Sequence, residues 1–215
     1  TVFELPEVSF ENVRKAIIGK TSPSISHTIE FYPEEGKYHF TGHRNCLVKH
    51  SPEESKKLGF ICPVCGKKLV IGVAQRVEDL AQNTKYKIPN TKISVDNFGV
   101  KWVNNVNNNR PKYAMLVPLV EIIAESLSSG VSSQKVTSEY EKLTNLLGPE
   151  FKILFQTNPE EISKVSGPKI TESIKRVRAG EIFIDPGYDG VFGTVKIWKE
   201  EDVDKDKEKE QMGLF

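Results

Sequence analysis

The first quarter of the chain alternates between strand-like and helix-like spacing of its apolar residues. Val2–Leu5 is short and apolar, and a helical spacing then runs from Phe10 to Ile18. Two strand-like runs follow, His27–Tyr32 and Lys37–Phe40, separated by a turn that contains proline and glycine. This pattern predicts a strand, a helix and a β-hairpin. A lone βα unit cannot bury both of its faces, so we expect the first twenty residues to be the end of a larger βα domain.

The middle of the chain carries weaker signals. The pattern predicts a short helix starting at Ser51 and ending at Gly59, a strand over Lys68–Ile71 and a helix over Val73–Ala81. Gln82–Arg110 is polar and without periodicity, which predicts an irregular loop. Phe98 and Trp102 lie within it, however, and two large aromatic residues indicate that part of this stretch is packed.

The last third is dominated by helical periodicity. Helices are predicted over Pro118–Leu127, Ser132–Leu147, Glu150–Phe155, Pro159–Val165 and Pro168–Arg178. A terminal β-hairpin is predicted from Glu181–Ile184 and Val195–Trp198, because a glycine-rich turn separates them. The expected fold class is therefore α+β, with a small β-rich module in the first half and a mostly helical second half.

Composition narrows the class of protein. The chain has 215 residues, of which 38% are hydrophobic and 27% are charged, as in ordinary globular proteins. The net charge of +1 conceals an acidic tail, Lys199–Glu210, so the remainder is mildly basic and compatible with nucleic acid. No apolar run approaches the roughly 18 residues of a membrane span. Free thiols indicate a reducing compartment, so we expect a cytoplasmic, nucleoid-associated protein.

The three cysteines and one histidine form the strongest motif. His43 precedes Cys46 by three positions, fifteen residues follow, and Cys62 and Cys65 repeat the same spacing. Two ligand pairs of this kind are typical of a tetrahedral zinc site. Gly66 after the second pair permits the tight turn that directs backbone N–H groups toward the thiolates. A closed shell of four protein ligands has no open position for water, so the predicted zinc is structural.

Three histidines could supply the fourth ligand. His43 gives the spacing that mirrors the second pair, while His50 would follow Cys46 by four positions. His39 is a third candidate, although it lies in an alternating, strand-like run. The mirrored spacing favours His43.

A second motif resembles a helix-hairpin-helix, in which a glycine turn leads into a helix N-terminus. Such a turn offers backbone N–H groups to a phosphate, and nearby cations add to the attraction. The residues predicted to contact DNA are Gly167, Lys169, Lys175, Arg176 and Arg178, together with Arg76 on the earlier helix.

The last residues form a third motif. Gln211, Leu214 and Phe215 follow a charged linker and are similar to a sliding-clamp-binding peptide, in which glutamine makes polar contacts and an aliphatic–aromatic pair fills a pocket. No phosphate loop and no serine–histidine–aspartate set is present in the sequence. The sequence therefore predicts binding functions without an active site of its own.

Taken in order, these motifs resemble the C-terminal half of archaeal endonuclease Q, a DNA repair nuclease with a PHP domain. The segments that carry the resemblance are Gly42–Cys46, Ile61–Lys67, Ile71–Val73, Arg76–Ala81, Pro118–Leu119, Glu121–Glu125 and Pro186–Gly193. The resemblance divides the chain into the last βα unit of a PHP-like domain (1–23), a zinc module (24–72), a helical DNA-binding domain (73–198) and a linker with the clamp-binding peptide (199–215).

The resemblance also implies a function. Enzymes of this kind nick DNA on the 5′ side of uracil, hypoxanthine, xanthine or an abasic site, with chemistry supplied by Mg²⁺ or Mn²⁺ in the PHP domain. Its metal ligands would lie upstream of Thr1, in the same chain or in a separate one, so no catalytic residue is assigned here. The expected partners are duplex DNA with deaminated bases, the sliding clamp and the N-terminal PHP half. The alternative is a non-enzymatic adaptor that links a partner to DNA and the clamp.

Overall fold

The structure of the chain is a computed structural model, which describes residues 1–19, 24–83, 91–105 and 110–199. The chain forms two compact units. We call the first the helical unit, Thr1–Phe31 with Pro89–Glu181, and the second the knuckle unit, Tyr32–Ile88 with Ile182–Phe215. Both units are therefore built from segments that are distant in sequence.

The described residues contain nine strands and seven helices. The strands are β1 (Val2–Glu4), β2 (Ser24–Glu30), β3 (Thr41–His43), β4 (Val48–His50), β5 (Thr91–Val95), β6 (Lys101–Asn105), β7 (Lys112–Met115), β8 (Phe183–Asp185) and β9 (Thr194–Lys196). The helices are α1 (Phe10–Ile18), α2 (Pro52–Leu58), α3 (Val73–Asn83), α4 (Leu119–Ser126), α5 (Gln134–Leu147), α6 (Glu150–Phe155) and α7 (Pro159–Ala179). The mixed α+β class is thereby confirmed. Across the described ranges, no helix is long and apolar enough to cross a membrane.

Short-range capping signals place several of the helix ends. The Ser9 hydroxyl accepts a hydrogen bond from the Asn12 N–H at the start of α1. At α2, Ser51 and Glu54 form a reciprocal capping box, in which each side chain accepts from the other residue's backbone N–H. Ser133 caps α5 in the same way as Ser9 caps α1. Each cap satisfies N–H groups that would otherwise lack a partner within the helix.

The helical unit contains a five-stranded sheet in the order β1-β2-β7-β6-β5. β2 pairs in parallel with β7, and the other neighbours are antiparallel. The predicted hairpin between His27–Tyr32 and Lys37–Phe40 is therefore wrong, because β2 finds its partner some 85 residues later in the chain, His27 opposite Lys112. Parallel pairing needs a long crossover, which local sequence patterns do not reveal.

The predicted irregular loop is also wrong in part. Residues 91–95 and 101–105 form the antiparallel pair β5–β6, and Trp102 on β6 is buried. β5 is exposed at every position, so its sequence lacks the alternation that marks a strand with one buried face. The expectation that Trp102 packs against the fold is confirmed.

Helices α4 to α7 bury a continuous apolar core. Fully buried members include Leu119, Ile122 and Ile123 on α4, Val136 and Leu143 on α5, Ile153 on α6, and Ile162 and Ile174 on α7. Gly167 has φ 80° and ψ 178°, which interrupts α7 directly before Pro168. A side chain would strain the backbone at this φ, so glycine separates the two helices that the sequence predicts.

The knuckle unit is built from short elements. β3 and β4 form a hairpin, α2 contacts both β4 and α3, and the terminal hairpin β8–β9 is present as predicted. The 3-10 turn Pro33–Glu35 contacts both strands of that hairpin. Val73 and Val77, on the apolar face of α3, are exposed.

The two units divide the chain differently from the four predicted domains. The first strands share one sheet with β5–β7, and the terminal hairpin shares a unit with the metal-ligand motif. The predicted boundaries follow changes in local pattern, whereas the compact units follow strand pairings between distant segments.

Candidate metal centre and nucleic-acid interface

The four predicted zinc ligands lie together in the knuckle unit. One ligand atom from each of His43, Cys46, Cys62 and Cys65 lies within 4.8 Å of all the others. Three thiol sulfurs and an imidazole nitrogen suit a tetrahedral, borderline-soft cation, and Zn²⁺ is the usual occupant of such a set. The cluster can therefore hold a metal ion, and its donor atoms fit zinc.

Two turns present these ligands. β3 ends at His43, and a 3-10 turn over Arg44–Cys46 follows, which Leu47 ends with φ 53° and ψ 31°. We call this the first knuckle. The second knuckle is the turn from Cys62 to Lys67. Its Gly66 N–H donates to the Cys62 carbonyl at 2.9 Å, and its Cys62 N–H donates to the Lys67 carbonyl at 2.7 Å. Each turn thus orients its ligands through the local backbone.

The pKa values of Cys46 and Cys62 are displaced in opposite directions. Burial raises the pKa of Cys46 to about 11, assisted by hydrogen bonds and like charge from the other two thiols. Burial also opposes ionisation of Cys62, but backbone N–H groups of Cys65 and Val64 and the His43 ring stabilise its thiolate and lower its pKa to about 6. A bound divalent cation would supply the charge that stabilises the remaining thiolates.

The other candidate histidines lie outside this cluster. His50 is on β4, buried, and its Nδ1 atom has no hydrogen-bond partner within the described residues. His39 packs its ring against Phe40 at 5.3 Å. The structure thus groups His43 with the three cysteines, as the mirrored spacing favours.

The residues predicted to contact DNA fall into both units. Arg76 is exposed on α3 of the knuckle unit, while the glycine hairpin of α7 belongs to the helical unit. After the Gly167 turn, Lys175 donates to Glu172 at 2.9 Å, and Arg176 lies 3.7 Å from the same carboxylate. The Lys175 side chain is exposed, and the Arg176 side chain is half-buried. The hairpin therefore combines a kinked backbone with a cationic helix surface.

The prediction that Arg178 contacts DNA is wrong. Its side chain is 1% exposed, so it is not available to a phosphate. The guanidinium instead donates to four backbone carbonyls, those of Leu154, Ile153, Thr157 and Phe98, at 2.6–2.9 Å. Burial lowers the pKa of Arg178, opposed by the charge of Asp96. Arg178 joins the end of α6 to the β5–β6 turn, a role that its position in a basic run conceals.

Sequence patterns also missed an aromatic cavity of about 590 Å³ in the helical unit. Trp102 stacks on Phe155 with ring centroids 5.5 Å apart, and His27 meets Trp102 edge-on at 5.0 Å. Asp96 fixes the tryptophan by accepting from its indole N–H at 2.8 Å, and Lys112 lies over the ring at 4.1 Å. Phe98 and Trp102, two aromatic residues within a polar stretch of sequence, were the signal that could have indicated this cavity.

The proposed clamp-binding residues Gln211, Leu214 and Phe215 lie outside the described residues. For these three positions the sequence motif remains a prediction.

Comparisons with known proteins agree with this architecture. Residues 118–181, which span α4 to α7 and the first residues after them, match the family described as the MJ0043 C-terminal domain. The chain is 31% identical over 207 residues to the uncharacterized protein MJ0043 of Methanocaldococcus jannaschii, covering 94% of this chain and 23% of that protein. It is 23% identical over 188 residues to the uncharacterized protein YqxK of Bacillus subtilis, covering 87% of this chain and 40% of YqxK.

Two solved structures are similar over nearly the whole chain. The lesion-specific endonuclease PfuEndoQ of Pyrococcus furiosus superposes with a TM-score of 0.71 at 30% identity, over 94% of this chain and 47% of that one. This chain resembles half of endonuclease Q. A complex of endonuclease Q with a 27-mer duplex that has an abasic lesion at the active site gives a TM-score of 0.67 at 30% identity, over 92% and 45% of the two chains. The chain thus spans about half the length of these structures, and the family match to a C-terminal domain fits the C-terminal half.

Proposed function

We propose that this chain is the DNA-binding part of a DNA repair endonuclease that nicks on the 5′ side of a deaminated base or an abasic site. It grips the duplex and contributes to recognition of uracil, hypoxanthine or xanthine. Mispaired bases of this kind cost less to unstack than a normal pair, which favours their extrusion from the helix. The hydrolytic step belongs to a PHP half whose Mg²⁺ or Mn²⁺ ligands lie outside this chain.

The likeness to endonuclease Q carries the proposal. It extends over 94% of the chain at 30% identity, and one of the two similar structures is a complex with lesion-containing duplex DNA. This is more specific than a zinc knuckle, which occurs in many unrelated proteins.

Within the chain, the two units take different parts of the task. Zn²⁺ bound by His43 and the three cysteines would hold the knuckle unit in its folded form, which presents Arg76. The turn at Gly167 would offer backbone N–H groups to a phosphate, with Lys169, Lys175 and Arg176 adding charge. The C-terminal Gln211, Leu214 and Phe215 would recruit the sliding clamp.

A nicking assay tests this function directly. A labelled duplex with one deoxyinosine, deoxyuridine or abasic site is incubated with Mg²⁺ or Mn²⁺, using this chain alone and together with the candidate PHP half. We expect nicking on the 5′ side of the lesion only when both are present. Duplex binding without nicking in either arm would favour the non-enzymatic adaptor, and nicking by the chain alone would contradict the assignment of the active site to the PHP half.

The DNA contacts have their own test. Lys169→Gln and Lys175→Gln should each weaken duplex binding and reduce the salt dependence of the affinity by about one phosphate contact. Lys135→Gln on α5 is the matched control, because it removes an exposed lysine from another helix of the same unit. Equal effects of all three changes would show only a general loss of charge.

A further inference from the structure

Leu47 holds a backbone conformation that its side chain disfavours. Its φ of 53° and ψ of 31° lie in the left-handed region, where Cβ crowds the following carbonyl oxygen. Leu47 directly follows the ligand Cys46, and its N–H donates to the Arg44 carbonyl at 3.1 Å to close the first knuckle. The second knuckle has the same design, because Gly66 directly follows Cys65 and has φ 72°. Glycine solves the same turn without strain there.

The Leu47 side chain makes little apolar contact that could offset this backbone strain. The residue is 81% exposed, so its side chain contributes little to the apolar core. Glycine would form the same turn without strain, so a leucine kept at this position points to a role of its side chain outside the fold. The side chain itself, rather than the turn, is what leucine adds over glycine at this position.

Basic residues lie in both knuckles beside Leu47. Val64, 68% exposed, lies at the tip of the second knuckle, and the ligands next to Leu47 and Val64 lie within 4.8 Å of one another. The knuckle segments His43–His50 and Phe60–Lys68 contain no acidic residue and four basic ones, Arg44, Lys49, Lys67 and Lys68. Two acidic residues of the terminal hairpin also lie here: Asp185 pairs with Lys49, and Asp189 accepts a hydrogen bond from the Arg44 N–H at 2.8 Å. The exposed Lys67 and Lys68 are therefore the cations of this surface that can reach a phosphate.

We propose that Leu47 is an apolar wedge that inserts between neighbouring bases of a duplex next to a lesion, while Lys67 and Lys68 contact the phosphates. Leucine is one of the side chains that unstack base steps in this way. A duplex fits this surface better than a protein partner does, because protein interfaces are depleted in lysine whereas phosphates attract it. The inference rests on the proposed function and deepens it.

The test uses the zinc-loaded chain and a duplex that carries 2-aminopurine beside an abasic site. This base fluoresces more strongly when it is unstacked, so insertion of Leu47 should raise the signal at saturating protein. Leu47→Gly should abolish most of that rise and weaken binding to the lesion duplex by about ten- to a hundredfold, the range expected for one buried leucine side chain. Binding to an undamaged duplex, which depends on charge, should change little.

Three controls accompany that variant. Leu47→Phe keeps a large apolar tip and should retain the fluorescence rise. Leu58→Ala removes an apolar side chain of similar exposure, 65%, from the end of α2 in the same unit, and should behave like the native chain. The zinc content and thermal midpoint of Leu47→Gly should equal or exceed those of the native chain, because glycine relieves the steric conflict.

Each contrary result has a definite meaning. An undiminished rise with Leu47→Gly, or loss of its zinc or its fold, would show that Leu47 is not a wedge. Duplex binding by the native chain without any rise would overturn the wedge and leave the proposed function standing. Failure of the native chain to bind either duplex would overturn both.

Discussion

The two units of this chain are stabilised in different ways. Nearly all buried apolar side chains belong to the helical unit, where α4–α7 close a continuous core. Among the described residues, the knuckle unit buries only four hydrophobic residues, Cys62, Leu69, Tyr188 and Ile197, and one of these is a metal ligand. A unit with so little core depends on another source of stability, and a bound metal can supply it. One chain therefore combines a unit with a continuous apolar core and a unit in which a candidate metal site accompanies few buried apolar residues.

Removal of the metal should produce the largest effect and separate the two units. Structural zinc sites contribute about 10 kcal/mol or more to folding, so Cys62→Ser or a chelator should unfold the knuckle unit alone. Hydrogen exchange should show loss of protection in β3, β4 and α2 while α4–α7 remain protected. Val64→Ser is the control, because it changes an exposed residue of the same knuckle. Equal loss of protection in both units would contradict the comparison.

Loss of the buried arginine should be the next largest effect, now in the helical unit. Arg178→Met leaves four backbone carbonyls without their donors, three of them buried, which we expect to cost about 3 kcal/mol of unfolding free energy. Arg176→Met, on the same helix but partly exposed, should cost less than about 0.5 kcal/mol. Urea unfolding of the zinc-loaded chains measures both. A similar cost for the two variants would show that the buried hydrogen bonds contribute little.

Small changes in apolar volume should also distinguish the units. Ile122 on α4 is fully buried, so Ile122→Val should lower the stability of the helical unit by about 0.5–1.5 kcal/mol. Val77→Ala on α3 removes a residue that is 59% exposed and should change the stability of the knuckle unit by less than about 0.5 kcal/mol. Neither variant should release zinc. A larger cost at Val77 would show that its face packs against something in solution.

The smallest expected effect is a dependence on pH within the helical unit. Burial, together with the charge of Lys112, lowers the pKa of His27 below its ordinary value of 6.5. The unfolded chain then binds more protons than the folded one below about pH 6.5, so stability should fall as the pH drops through that value. His27→Phe keeps an aromatic ring against Trp102 and should remove this slope. Urea midpoints at pH 7.5 and 5.5 would show it, and an equal slope in both proteins would exclude His27 as the cause.

Features that depend on neighbouring residues could be predicted from the order of amino acids alone. The ligand spacing of the two knuckles, the bounds of α2 between Ser51 and Gly59, and the interruption of α7 at Gly167 all match the structure. Each depends on hydrogen bonds or dihedral angles within a few positions, so a short stretch of chain contains all the information.

The meeting of distant segments could not be predicted in this way and is known from the folded chain. The parallel partner of β2, the five-stranded sheet and the division into two units all depend on pairings across long stretches of chain. The burial of Arg178 follows from the same cause, because its four carbonyl acceptors lie 21 to 80 residues away. A run of basic residues on a helix predicts a surface position for Arg178. The packing of distant segments around it buries its side chain and gives it a structural role. Local patterns specify elements, whereas the burial of their faces specifies how those elements combine.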